Sequence, residues 1–301
     1  MLSKSSNAQH QPITNLSYLK RSKSIAILGA SACLALTLGA CSQENSPNET
    51  ATVAENAPQT TQPSEAIRIA AAANLSDVLS EIIEGYKKDK NLPNQKIEVT
   101  FASSGKLYSQ ITAGAPYDIF LAANQEFPAK LVDEMFKGDS SHTPFTYTQG
   151  QLSIYSATKP VDSLNQSTLT ELLKRDDKTK ITIANPELAP YGESAKAYLQ
   201  AQNLYDSLTA QKRIIQAENI GQAFQYAHTG NVDYGFVAQS QVTATKATPE
   251  QFYILPADSY PAILQDGIVI TDGASAADFT DYLRSPAGQA YFAKAGYLAV
   301  K

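Results

Sequence analysis

The chain predicts an α/β fold of mostly parallel sheets flanked by helices, and three observations carry that expectation. Strand-like and helix-like patterns alternate from Ala66 to the end, the order that lays parallel strands between helices. Several strands run straight into small polar or glycine residues that open a helix. The 301 residues are 43% hydrophobic and 18% charged, an ordinary globular balance with enough length for one or two real cores.

Residues 67–73 read as a buried strand. The chain turns at Asn74 into a helix, with Leu75, Val78, Leu79, Ile82, Ile83 and Tyr86 at helical spacing. Asn74 stands where an N-cap belongs, and Asp77 follows in the first turn. Residues 96–101 alternate as a second strand and lead through Ser103-Ser104-Gly105-Lys106 into a helix bearing Leu107, Tyr108 and Ile111, which stops at Gly114 and Pro116. A third strand covers 118–123 and a short helix 127–136.

Residues 139–150 read as loop and then extended chain. Strand 151–156, helix 164–174 and strand 181–184 follow. After Pro190-Tyr191-Gly192 a helix is expected to about 203. Strand 212–217 then reaches Asn219-Ile220-Gly221, which opens a helix ending at Gly230, before strand 232–238. Residues 239–250 are polar and read as loop. The tail is extended over 252–256 and 260–270, then helical over 276–284 and 286–295, with Pro286 suited to a first helical position.

The ends of the chain differ in kind. Residues 1–24 carry Lys4, Lys20, Arg21 and Lys23 and no acid; an apolar run follows to Ala40 and meets Cys41. This is the pattern of a signal peptide over 1–40. Leu38-Gly39-Ala40-Cys41 resembles a bacterial lipobox, in which Cys41 becomes the lipidated N-terminus; lipid chains contribute about 0.8 kcal/mol per buried CH₂ to such an anchor. Residues 42–65 are rich in Pro, Ser, Thr, Asn, Gln and Glu and read as a tether. Removing 1–40 leaves about 20 basic against 29 acidic residues, a net charge near −9, which offers no basic face to nucleic acid. Without Cys33 and with Cys41 acylated, no disulfide is expected.

Enzyme chemistry finds no support. No nucleophile with a base, P-loop, cofactor fingerprint or metal-ligand cluster is written in the chain, and His10, His142 and His228 are scattered. Asp176-Asp177 sit in a charged loop. The four turns at Ala73-Asn74, Ser103-Ser104-Gly105, Pro190-Tyr191-Gly192 and Asn219-Ile220-Gly221 instead share one chemistry. Each leaves free helix N–H groups at the carboxyl end of a strand, where α/β sheets bind ligands and helix dipoles favour an anion. A cage of neutral donors suits an oxyanion with no proton to donate. Glu193 and Glu218 are near enough in sequence to keep phosphate open, and Lys106 is expected to face solvent.

The segments AAAN (71–74), FASSGKLYSQITAGAPYDIFLAAN (101–124), NPELAPYGESAKAYL (185–199), AENIGQAFQYAHTGNVDYGFVAQS (217–240) and DYLRSPAGQAYF (281–292) together resemble the periplasmic molybdate-binding proteins of molybdate ABC importers. The resemblance implies a two-lobed, class II periplasmic binding-protein fold with a two-strand hinge. Lobe one would span 66–146 plus 251–301, and lobe two 147–250. It implies an extracytoplasmic monomer that delivers molybdate or tungstate to permease subunits and carries no cofactor, while the membrane anchor is the expectation from Leu38-Gly39-Ala40-Cys41. The oxyanion would be held by the side chains and backbone of Asn74 and Ser104 and by the backbone N–H groups of Tyr191 and Ile220. The alternative is the same fold binding sulfate, thiosulfate or phosphate. Two positions depart from the family pattern: Asn74 stands where serine is common, and Ala238 where a cage tyrosine is common.

Overall fold

The computed structural model describes residues 66–175 and 178–300. The expected signal peptide, Cys41, the tether and the Asp176-Asp177 pair lie outside these residues.

In chain order the first elements are β1 (Ile67–Ala72), a 3-10 turn (Ala73–Leu75), α1 (Ser76–Asp89), β2 (Ile97–Ala102), α2 (Ser104–Thr112), β3 (Ile119–Leu121), α3 (Glu126–Met135) and β4 (Phe145–Gly150). Then come β5 (Leu152–Tyr155), α4 (Gln166–Arg175), β6 (Ile181–Ala184), α5 (Pro190–Ala201), α6 (Tyr205–Ala210), β7 (Ile214–Ala217), α7 (Ile220–His228), β8 (Tyr234–Ala238), α8 (Gln239–Ala244) and β9 (Phe252–Ile254). The chain closes with β10 (Ile263–Val269), α9 (Ala274–Arg284) and α10 (Pro286–Lys294).

The strands form two sheets of the same design, ordered β2-β1-β3-β10-β4 and β7-β6-β8-β5-β9. In each, four strands run in one direction and the fifth, β10 in the first sheet and β5 in the second, runs antiparallel to both its neighbours. The sheets are therefore mostly parallel, as expected, with one reversed strand in each. The reason is connectivity: β5 and β10 enter their sheets directly from the other one, without the helical crossover that a parallel neighbour needs. Helices cover both faces of each sheet, with separate apolar clusters on the two sides. This is the two-lobed class II binding-protein architecture.

The chain changes sheets between Gly150 and Leu152, and again between Ile254 and Ile263. The expected lobe limits fall a few residues away from these points: 147–150 pairs within the first sheet and 252–254 within the second.

One expectation about local structure needs correction, and one element had no expectation. Residues 239–244 are a helix, α8, whose buried residues include Gln239, Ser240 and Gln241; with polar groups facing inward it carries no apolar periodicity to read. The short α6 buries Leu208 alone and was equally unmarked.

Candidate functional site

Four strand-to-helix turns meet at one small cavity between the two sheets. Its wall is formed by Ala72, Ala73, Asn74, Ala102, Ser103, Ser104, Ala123, Ala189, Pro190, Tyr191, Asn219 and Ile220. All four expected contacts, Asn74, Ser104, Tyr191 and Ile220, are in this wall, and no side chain in it is charged. Its room for the centre of a water molecule is ≈ 10 Å³.

The first sheet contributes hydroxyls. Ser103 is the N-cap residue of α2 and Ser104 its first helical residue, both fully buried. The Ser104 Oγ accepts a hydrogen bond from Ala123 N at 2.9 Å, which leaves its own hydrogen free for the cavity. Ser103 Oγ is buried with no protein partner. Ser103 belongs to the expected Ser103-Ser104-Gly105 turn but is not among the four expected contacts; its place directly before a helix, in a serine pair, is the sequence signal for it.

The second sheet contributes backbone. Tyr191 is the second residue of α5, behind Pro190, and Ile220 is the first of α7. N–H groups at these positions have no acceptor inside their own helix. Asn219 caps α7 by accepting from Gln222 N at 3.0 Å, so its side chain supports the helix end. Gly192 allows α5 to close on its strand, because a Cβ there would overlap the Ala184 carbonyl. Gly105 plays a similar part across the cleft: its N–H donates to Leu188 O at 2.9 Å, and a Cβ would meet Leu188 Cα at 3.1 Å. The glycine freedom at 105 thus brings the two lobes together, and its N–H is spent on lobe two.

Asn74 departs from expectation. It lies inside the 3-10 turn and makes no capping bond. It is 1% exposed, and its Nδ2 donates to Gln265 Oε1 and to Tyr297 Oη, both at 3.0 Å. Its Oδ1 is buried with no partner. The Asn74 carbonyl accepts from Tyr297 Oη at 2.7 Å and, across the cleft, from Ser240 Oγ at 3.1 Å. Behind it, Gln265 Nε2 donates to Tyr191 Oη at 3.2 Å. The Tyr191 hydroxyl therefore points into this network. Burial pushes the Tyr147, Tyr191 and Tyr297 phenols above their ordinary range, so the network is uncharged at neutral pH.

Lys106 is not simply solvated. Its Nζ meets Glu218 Oε1 at 2.6 Å, joining α2 to the turn before α7. This pairing neutralises one of the two carboxylates near the site, and Glu193 is absent from the cavity wall. Ala238 is fully buried at the end of β8 and also absent from the wall; its N–H donates to Gln241 Oε1 at 3.1 Å. His142 stacks on Phe136 and His228 bonds Tyr155, both away from the cavity.

Residues 67–298 match the family described as bacterial extracellular solute-binding protein. The molybdate-binding protein ModA of Azotobacter vinelandii is 34% identical over 235 residues, covering 77% of this chain and 89% of the relative. The ModA of Rhodobacter capsulatus is 32% identical over 76% of this chain and 86% of its own length. Among solved structures, the periplasmic molybdate-binding protein of Azotobacter vinelandii superposes with a TM-score of 0.70 at 32% identity, covering 78% of this chain and all of that one.

Proposed function

The chain belongs to the bacterial extracellular solute-binding protein family, and from that premise we propose that it captures molybdate, and tungstate by likeness of size, for delivery to an ABC importer. The observation that carries the reading is the cavity itself. Four helix openings converge on it, two serine hydroxyls face it without acceptors, and no carboxylate lines it.

Charge supports the assignment. Hydrogen phosphate needs an acceptor for its proton, and an unpaired buried polar group costs about 1–3 kcal/mol. Bonds from neutral donors to a fully ionised oxygen are of the stronger, charge-assisted kind.

In this reading Ser104 donates its hydroxyl, Asn74 its amide, and Tyr191 and Ile220 their backbone N–H groups, with Ser103 as an added donor. The two crossings, near 150 and between 254 and 263, act as the hinge on which the lobes open and close. Cleavage after Ala40 and lipidation of Cys41 tether a monomer to the extracytoplasmic face of the membrane, where it meets the permease.

Thermal unfolding tests the ligand. Molybdate at a hundred-fold excess over its Kd stabilises the folded chain by about 2.7 kcal/mol, seen as a raised Tm, while sulfate and phosphate at equal concentration leave Tm nearly unchanged. Equal stabilisation by sulfate overturns the molybdate assignment.

A further inference from the structure

Gln265 is fully buried in the middle of β10, outside the cavity wall, and touches Asn74, Tyr147 and Tyr191. Three hydrogen positions in this group conflict. Asn74 Oδ1 has no donor. The Tyr191 hydroxyl accepts from Gln265 Nε2, and its own hydrogen has no acceptor among the described residues. The Tyr147 hydroxyl has two acceptors, Ala122 O at 2.8 Å and Gln265 Oε1 at 3.1 Å, but one hydrogen to give.

The oxygen and nitrogen of a carboxamide exchange places by a half-turn about its terminal carbon–carbon bond. If Asn74 and Gln265 both turn, every heavy-atom distance is kept; all three conflicts vanish and one appears at Tyr297, whose single hydrogen then faces both Asn74 Oδ1 and the Asn74 carbonyl. Gln265 Nε2 then donates to Asn74 Oδ1 and to Tyr147 Oη, while Tyr147 keeps its bond to Ala122 O. Tyr191 Oη donates to Gln265 Oε1. Tyr297 Oη can donate to Asn74 Oδ1, because Ser240 Oγ already serves the Asn74 carbonyl. One group is left over, the Asn74 Nδ2. Its former partners Gln265 and Tyr297 lie outside the cavity wall that Asn74 itself helps to form, and the turn moves the nitrogen away from them.

We infer that Gln265 is a positioning residue for anion binding: it holds the Asn74 amide with its nitrogen toward the oxyanion and, through Tyr191, ties that orientation to lobe two. The inference rests on the oxyanion reading above. It explains why a buried glutamine crosses the back of a neutral cage: a hydrogen-bond chain with a single consistent direction sets which end of Asn74 the ligand meets. An oxygen-first Asn74 would repel the anion; a nitrogen-first Asn74 binds it.

A double-mutant cycle on the full chain tests this. Molybdate is titrated calorimetrically into wild type, Gln265→Met, Asn74→Ala and the double variant. Gln265→Met is expected to weaken molybdate about tenfold in the wild-type background, the scale of one hydrogen bond to a charged group, and less than twofold where Asn74 is already alanine. Equal losses in both backgrounds overturn the inference. The Asn74 side-chain NH₂ resonances of an asparagine-labelled wild-type chain provide a readout that needs no variant. They are expected to shift on molybdate addition, and an unshifted pair overturns the inference even if Gln265→Met fails to fold. A wild-type chain that takes up no molybdate overturns the parent reading and this one with it; binding with an additive cycle overturns this one alone.

Discussion

The two halves of the cavity wall solve the same problem with different materials. Lobe one sets the side chains of Ser103, Ser104 and Asn74 in the wall. Lobe two offers main chain, at Tyr191 and Ile220, and turns its side chains to other work. The Tyr191 hydroxyl bonds Gln265, and the Asn219 amide caps α7. A site built from side chains is open to change by single substitutions. One built from backbone is exposed only through the helices that aim it. The lesson is that sensitivity to mutation should differ sharply between the two surfaces proposed to hold the anion.

The largest effect is expected where backbone aim depends on close packing. Gly192→Ala places a Cβ against the Ala184 carbonyl and should cost about 1–3 kcal/mol of stability or more through overpacking. By shifting α5 it should also weaken molybdate more than any side-chain deletion on lobe two. Denaturant unfolding and calorimetry read the two losses; a normal affinity in a folded Gly192→Ala would mean that Tyr191 N–H is not a donor.

Alkaline pH comes next, and it asks whether the lobes unfold as one. Burial raises Tyr86 in lobe one and Tyr198 in lobe two to about 12, against about 10 in an unfolded chain. Above pH 10 the unfolded state loses these protons first, so the folded state becomes relatively less stable. The stability these phenols contribute is fully present below pH 10 and lost as pH rises toward 12, by up to roughly 2–3 kcal/mol for each ring. A single transition over that window is expected, and two separated transitions would show the lobes to be less coupled than their shared contacts require.

Ser104→Ala sharpens the comparison directly. It removes a cavity donor and leaves the buried Ala123 N–H unpaired, so both molybdate binding and stability should fall by about 1–3 kcal/mol. Ile220→Val, on the opposite wall, should change affinity by less than about 0.5 kcal/mol, because the donor is the main chain. A pair of comparable losses in calorimetry would erase the distinction between the lobes.

The smallest effect is expected at the rim. Lys106 and Glu218 form a half-exposed pair bridging the cleft, and such pairs contribute about 0.2–1 kcal/mol. Lys106→Met should weaken molybdate slightly at low salt and not at all at high salt, since ions screen the pair. A salt-independent loss would place Lys106 in contact with the anion.

Much of this was written in the chain itself. The alternation of strands and helices and the small polar turns that open helices located the four turns, because these are local patterns with a period of two or 3.6; the family resemblance then named Asn74, Ser104, Tyr191 and Ile220. Elements that bury polar groups escaped notice. The α8 helix hides behind Gln239, Ser240 and Gln241, and Gln265 sits in a strand as an unremarkable glutamine. Nor could periodicity say that the Gly105 N–H is given to Leu188, or that Lys106 reaches Glu218.

Those last facts belong to the tertiary structure alone. Residues 74 and 265 are joined by a 3.0 Å bond across 191 positions of sequence, and 74 and 297 by another. No local rule governs such pairs; they exist because two sheets of the same order face each other and bring strand ends together. The sequence by itself determined that the chain would present helix openings and neutral donors at strand ends. Only the closure of one lobe on the other decided which donors line the cavity and which, like the Gly105 N–H given to Leu188, are spent on holding the lobes together.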